Sequence, residues 1–396
     1  MPYRSNTNVA TVTSRAFSFR TININQKKAH ADLLFILLVI ATIAYGTVIV
    51  SSAGMPYAEA RYDDEFYFIK RQAIWLLCGF SVMISASYIP TSIYRKSAPY
   101  AYAATVFLLI LVLIVGFVGN GAKRWISIGP LTIQPSEIAK LTMILLLARY
   151  FSDFEERASD TRHERNILVY GTLIPFAIMI LPIFLVMLQK HLSCIIILGC
   201  IGIILIFLSG AHPKYLSMFC IACVIGVVFI ALFTDYTKER IVVWQDPEAY
   251  KLTGGWQTLQ GLMAIGSGGV FGVGLGNSIL KHCYVSEPAN DMIFAILCEE
   301  LGLVGAIAAI LLFGALILRG CQIALKSEDS FSRILCLGIC VKMAIQVLLN
   351  IAVVTNTIPN TGISLPFFSY GGSSLIMLCF EMGIIISVSR KAKILK

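Results

Sequence analysis

At 396 residues, 57% apolar and only 13% charged, with a mean hydropathy of +0.80, the chain is excluded from ordinary soluble folds, which carry about 25% charged residues. A soluble protein this apolar would expose large greasy patches, whereas a bilayer tolerates apolar surface. The net charge of +9 lies in short basic clusters between apolar runs, which fits membrane topology rather than a phosphate-tracking groove, so no nucleic-acid partner is expected.

Residues 1–31 are polar, carry Arg4, Arg15, Arg20, Lys27 and Lys28, and lack the apolar centre of a signal peptide. They read as a flexible cytoplasmic tail. Residues 32–396 read as one all-α, polytopic integral membrane domain. Apolar runs fall near 33–52, 73–89, 99–118, 137–151, 168–188, 192–210, 215–234, 291–318, 332–355 and 366–389. That makes about ten transmembrane helices, each near the length that crosses a bilayer. Lys and Arg gather in the tail, at Arg95 and Lys96, from Arg149 to Arg165, from Arg319 to Arg333 and after Arg390. The positive-inside rule makes that side, with both termini, cytoplasmic.

Ten of the eleven cysteines lie in or beside apolar runs, and Cys283 alone falls in a long polar loop. No disulfide framework follows, and the Cys220–Cys223 pair reads as apolar filling. The polar, Gly-rich loop 235–290 is too long to be mere linker. Trp244, Trp256, Leu259, Leu262, Met263 and Ile265 suit amphipathic helices on the membrane surface. It is expected to be ordered and extracytoplasmic. The stretch Gly266–Gly276 has no strand–helix context and is no dinucleotide fingerprint. It reads as close backbone approach to a phosphate, or as a hinge.

Ionisable groups within spans are functional candidates by default. The first cluster runs Asn120-Gly121-Ala122-Lys123-Arg124-Trp125-Ile126, then Gln134-Pro135-Ser136-Glu137-Ile138-Ala139-Lys140. Glu137 and Lys140 stand i,i+3 on one helix face, either as a structural ion pair or with the cations turned to an anionic head group. The second, Ser286-Glu287-Pro288-Ala289-Asn290-Asp291, enters the eighth span. Asp291 serves there as helix cap or as chemistry, and Asn290 could cap equally well. In the third, Glu299 and Glu300 need partners within the membrane, for which Lys140 and Lys342 are available. The fourth is Asn360–Ser374, rich in Gly and Ser, a re-entrant turn or a source of hydroxyl donors.

These clusters, in this order, resemble the SEDS family of shape, division and sporulation proteins (FtsW, RodA, SpoVE), from about residue 33 onward. The similarity rests on Asn120–Ile126, Gln134–Lys140, Asp291–Gly302 and Pro366–Ser374, and Gly272–Ser278 with Lys281 leans toward the FtsW and SpoVE branch. The chain departs from the family at Ala289-Asn290 and at Gln189-Lys190-His191-Leu192-Ser193, where an acidic residue is common.

The resemblance implies a glycosyltransferase polymerising lipid II into peptidoglycan at the outer membrane face, with Asp291 as the catalytic carboxylate. Its chemistry would be general-base removal of the acceptor hydroxyl proton, with inversion at the anomeric carbon. The undecaprenyl diphosphate leaves readily once its charge is neutralised. Candidate substrate contacts are Lys123, Arg124, Glu137, Lys140, Arg240, Gln257, Lys281, Glu287, Ser369, Gly371, Gly372 and Ser373. No metal-ligand spacing is present, so a divalent cation (Mg or Mn) would come bridged to the diphosphate. The resemblance also implies a class B penicillin-binding transpeptidase and other division proteins as partners. Two rival readings are a lipid II flippase and a non-catalytic scaffold.

Overall fold

The computed structural model describes residues 31–119, 122–128, 131–157, 169–209, 217, 221, 235–282 and 288–391. The expected tail, apart from Ala31, lies outside the described residues, as do Cys283, Glu287 and nearly all of the expected span 215–234.

The chain is a helical bundle: α1 (Leu33–Tyr62), α2 (Tyr67–Tyr88) and α3 (Thr91–Val115), then a small sheet and α4 (Pro135–Arg157). A π-turn (Val169–Leu173) leads into α5 (Ile174–Leu188), followed by α6 (Leu192–Leu208). Two shorter helices, α7 (Asp235–Gln245) and α8 (Gly255–Gly268), fill the loop where surface helices were expected. The long helices α9 (Ile293–Leu325), α10 (Ser330–Val354) and α11 (Gly372–Ser389) complete it. Among the described residues seven helical segments are long and apolar enough to cross a membrane. The apolar α6 is shorter, and α4 carries Glu137, Lys140, Arg149 and Asp153, which lower its hydropathy though it packs within the bundle. The protein is a multi-pass membrane protein. Large side chains such as Leu77, Phe107, Ile114, Leu311 and Leu318 stay exposed on the bundle, tolerable only where lipid is the solvent.

One end of the bundle is fastened by Asp32. Its carboxylate caps α1 by accepting from Phe35 N at 2.9 Å and pairs with Arg319 near the end of α9 at 2.7 Å. Its amide donates to Ser389 Oγ at the end of α11, 3.1 Å away. The beginning of the first helix and the end of the last therefore share one side.

The all-α architecture has one local exception, within residues 117–133. They form a three-stranded antiparallel sheet: β1 (Phe117–Gly119), β2 (Ala122–Ile128) and β3 (Leu131–Ile133). The register pairs Val118 with Lys123 and Ile126 with Ile133. Alternation through Trp125, Ile126 and Ser127 favours a strand, and the ladder satisfies backbone groups at the bundle's rim.

A second device sets the geometry of α9. Gly302 interrupts the helix with φ 65°, ψ −162°, a conformation essentially reserved for glycine. The exposed backbone groups are taken by the Gly-rich stretch: Val273 N and Gly274 N donate to the Glu299 and Glu300 carbonyls, both at 3.0 Å. In return Leu303 N and Val304 N donate to the Gly269 and Val270 carbonyls at 3.0 and 3.1 Å. This stretch is a backbone clip that restores the pairing a broken membrane helix requires, rather than a phosphate loop or a hinge.

Candidate active site

The described residues of the second and fourth clusters meet around the segment between α10 and α11. α9 starts with Met292 at its cap position and no side-chain cap, so Asp291 is not the capping residue. It sits in the turn just before, partly exposed. Asn350 of α10 donates through Nδ2 to the Asp291 carbonyl at 3.0 Å and to the Ile363 carbonyl at 2.6 Å. Ser369 Oγ donates to the Asn290 carbonyl at 2.8 Å and accepts from Leu365 N at 2.7 Å. Tyr370 N donates to the Ala289 carbonyl at 2.8 Å. The main chain before α9 is thus stitched to residues 363–370, and the Asp291 carboxylate lies against Gly362. A methyl group added to Gly362, whose φ is +70°, would stand 3.0 Å from Asp291 Oδ2.

The same segment is gripped from the other side by α7 and α8. Trp244 Nε1 donates to the Asn356 carbonyl at 2.9 Å, and Arg240 Nη1 to the Asn360 carbonyl. Asn360 Nδ2 donates to Gln257 Oε1 at 3.0 Å. Glu239, Arg240, Trp244, Gln257, Thr258 and Asn360 line a cavity of about 290 Å³, near the lower bound for small-molecule sites. From α6, Ser193 Oγ donates to the Thr361 carbonyl, so the family-divergent turn at 189–193 still reaches this segment.

The expected cations divide. Lys123 is exposed on β2, and Arg124 Nη2 donates to the Lys190 carbonyl at 2.5 Å. Beside it, burial and the Arg124 charge push the His191 imidazole down to about 3. His191 is neutral at physiological pH and adds no cation there. Lys281, expected on the diphosphate, is a correction: it is buried, and all three of its donors are consumed. It donates to Glu300 Oε1 at 2.8 Å, Gly276 O at 2.7 Å and Ser52 Oγ at 3.1 Å. Glu299 accepts from Ser278 Oγ and from Ile279 N at 2.9 Å. The partners of Glu299 and Glu300 are therefore the loop 278–281 and α1, not Lys140 or Lys342. A Lys281→Met variant leaves Glu300 buried and unpaired, and a loss of about 3–5 kcal/mol is expected. Thermal melting in detergent measures it, and an unchanged transition would show the pair to be energetically idle.

Glu137 and Lys140 do pair, at 2.7 Å, with Lys140 buried. Glu137, Gln346, Ser364, Ser369 and Ser374 line a narrow crevice at the foot of the stitched segment. Gly371 ends that segment, and Gly372 and Ser373 open α11, with Ser374 Oγ donating to the Gly371 carbonyl at 3.0 Å. Gly372 packs beneath Trp75, so close that a Cβ would overlap the indole. Among the described residues no group of three or more His, Cys, Asp or Glu side chains gathers as a metal site. Gly362 falls within the fourth cluster, whereas Asn350 and Gln346 lie outside all four clusters. The polar i,i+4,i+8 stripe Lys342, Gln346, Asn350 along a largely apolar span is the signal that could have found Gln346 and Asn350.

A sequence model of the cell cycle proteins FtsW, RodA and SpoVE matches residues 32–394. The chain belongs to the FtsW/RodA/SpoVE family. It is 37% identical over 369 residues to stage V sporulation protein E of Bacillus subtilis, covering 93% of this chain and 99% of that one. It is 34% identical over 365 residues to a Geobacter sulfurreducens protein named probable peptidoglycan glycosyltransferase FtsW, covering 91% and 96%. Among solved structures, a chain of a peptidoglycan synthase complex that coordinates polymerization and crosslinking superposes with a TM-score of 0.75. Its identity is 26%, with 91% of this chain and 98% of that chain covered. The rod shape determining protein RodA of Thermus thermophilus gives 0.67 at 26% identity, covering 91% and 97%. The FtsW and SpoVE names agree with the leaning of Gly272–Ser278.

Proposed function

We propose that this family member is a peptidoglycan glycosyltransferase that polymerises lipid II at the extracytoplasmic membrane face, with Asp291 as general base. The observation that carries the residue assignment is the carboxylate itself. It is partly exposed, is not the helix cap, belongs to a turn fixed through its main chain, and borders Gly362, whose amide donates to Asn360 Oδ1 in the wall of the loop cavity at 3.2 Å. The reaction forms a bond from the acceptor's sugar hydroxyl oxygen to the donor's anomeric carbon. The bond to the diphosphate breaks, the hydroxyl proton passes to Asp291, and undecaprenyl diphosphate leaves. Direct displacement inverts the anomeric centre. A diphosphate leaving group needs countercharge rather than a proton, so one carboxyl suffices where a glycosidase uses two.

Arg124, Lys123 and Arg240 are the proposed countercharges, Lys281 and Lys140 being committed to carboxylates. Gln257 and Ser369 hold the walls. A divalent cation would enter with the phosphates, which is how such ions bind with few protein ligands. The lipid tails remain in the bilayer while the sugars reach the loop cavity. A transpeptidase of the class B penicillin-binding type and other division proteins are the proposed partners, since the superposing chain belongs to a synthase complex.

The test is glycan formation from lipid II by purified protein with a cognate transpeptidase in detergent, where no sidedness exists. Polymer is expected. Its absence, with transport of lipid II in vesicles, would leave the flippase reading. Absence of both would leave the scaffold.

A further inference from the structure

The proposed reaction makes no use of Lys342 and Glu381, yet both are fully buried and joined in an ion pair between α10 and α11. Burying two charges is costly, and replacing such a pair by apolar groups is commonly neutral for stability. Intramembrane charges that the fold does not need are functional candidates. Their placement says for what.

Lys342, Gln346 and Asn350 stand at i, i+4 and i+8, which places them along one face of α10. Asn350 holds the main chain at Asp291 and Ile363. One turn on, Gln346 lines the crevice that Glu137, Ser364 and Ser369 also line, and its buried Oε1 has no hydrogen-bond partner among the described residues. One turn deeper, Lys342 donates to Glu381 Oε1. Electrostatically the two ion pairs are one cluster: Glu137 feels the Lys342 charge as well as that of Lys140, and Lys140 feels Glu381. Two cations and two anions on three helices thus balance behind the crevice, Glu137 lining it and Lys342 standing one turn from Gln346, which lines it too. Its upper wall, residues 364–369, is stitched to the Asp291 turn.

We infer that Lys342 and Glu381 are positioning residues. Their pair fixes Glu137 at the base of the crevice, and through that wall it sets the alignment of the Asp291 turn. The inference rests on the proposed glycosyl transfer at Asp291. Neither residue touches substrate. What they supply is a second countercharge that keeps Glu137 from being set by Lys140 alone.

Four proteins test it: wild type, the apolar double variant Lys342→Met/Glu381→Leu, the swapped double variant Lys342→Glu/Glu381→Lys, and Lys342→Arg. Polymerisation kinetics are compared with melting temperature and with the isotope-edited infrared band of the Glu137 carboxylate, assigned through Glu137→Gln. The apolar double is expected to melt as wild type, with kcat lowered on the order of 10–100-fold, the scale of a small misplacement, and KM little changed. The swapped double keeps both charges but sets a carboxylate against Glu137, so it stays impaired, whereas a purely structural pair would be rescued. Lys342→Arg retains most activity. The Glu137 band shifts in both doubles.

Wild-type kcat in either double overturns the inference, as does a lowered kcat with an unmoved Glu137 band. Should the apolar double fail to fold, the swapped double decides. A wild-type protein that does not polymerise while the band still shifts in the doubles would remove the proposed reaction and leave the hold on Glu137 standing.

Discussion

Asp291→Asn is expected to lower glycan polymerisation by about 10²–10⁴-fold, the usual contribution of a general base, while the protein accumulates and melts as wild type. The substitution is nearly isosteric and removes basicity. The turn survives because Asn350 grips the Asp291 main-chain carbonyl, and Ser369 and Tyr370 grip the carbonyls of Asn290 and Ala289. The measurement is glycan product from lipid II beside a melting curve in detergent. Activity within a few-fold of wild type would strike Asp291 from the mechanism. Unfolding of the variant would show that the carboxylate serves the scaffold.

The largest structural effect is expected at Gly302. Its backbone lies where other residues rarely go, and an added Cβ would fall 2.4 Å from Gly272 N and 2.5 Å from the Val270 carbonyl. Both obstacles are main chain, so no rotamer change relieves them. Gly302→Ala should combine about 1–3 kcal/mol of backbone strain with partial loss of four clip hydrogen bonds, each contributing about 0.5–1.5 kcal/mol. The sum approaches the whole stability of many domains, about 5–15 kcal/mol. The variant is expected to fail to accumulate or to melt far below wild type. Gly314→Ala on the same helix is the control: nothing lies within 4 Å of its new methyl, and it should be neutral or slightly stabilising. Equal melting of the two variants would refute the clip.

Much of this was legible beforehand, for reasons that can be named. Long apolar runs announce spans whatever their neighbours, and a pair at i,i+3 such as Glu137 and Lys140 meets by helix geometry alone. The aromatic and aliphatic spacing at Trp244, Trp256 and Leu259 likewise foretold ordered helices in the loop, found at Asp235–Gln245 and Gly255–Gly268. Long-range partners were not legible. Glu300 was matched to cations in other spans, but its partner Lys281 arrives on a loop brought back by a backbone clip, and backbone pairing leaves no side-chain signature. The sheet within 117–133 is not legible in the sequence, because two of its three strands are only three residues long and carry too little alternation to signal a strand. Asp291 was found as a residue, whereas its surroundings depend on Asn350 and Gly362, far along the chain.

Because the clip at Gly302 is made by amides and carbonyls, the side chains it carries are released from that duty. Val270, Phe271 and Leu275 stand outward, Phe271 with 82% of its surface open. A reporter group attached at position 271 would therefore ride on a rigid mount without loosening it, giving optical or magnetic spectroscopy a fixed vantage point close to the membrane helix that Asp291 precedes.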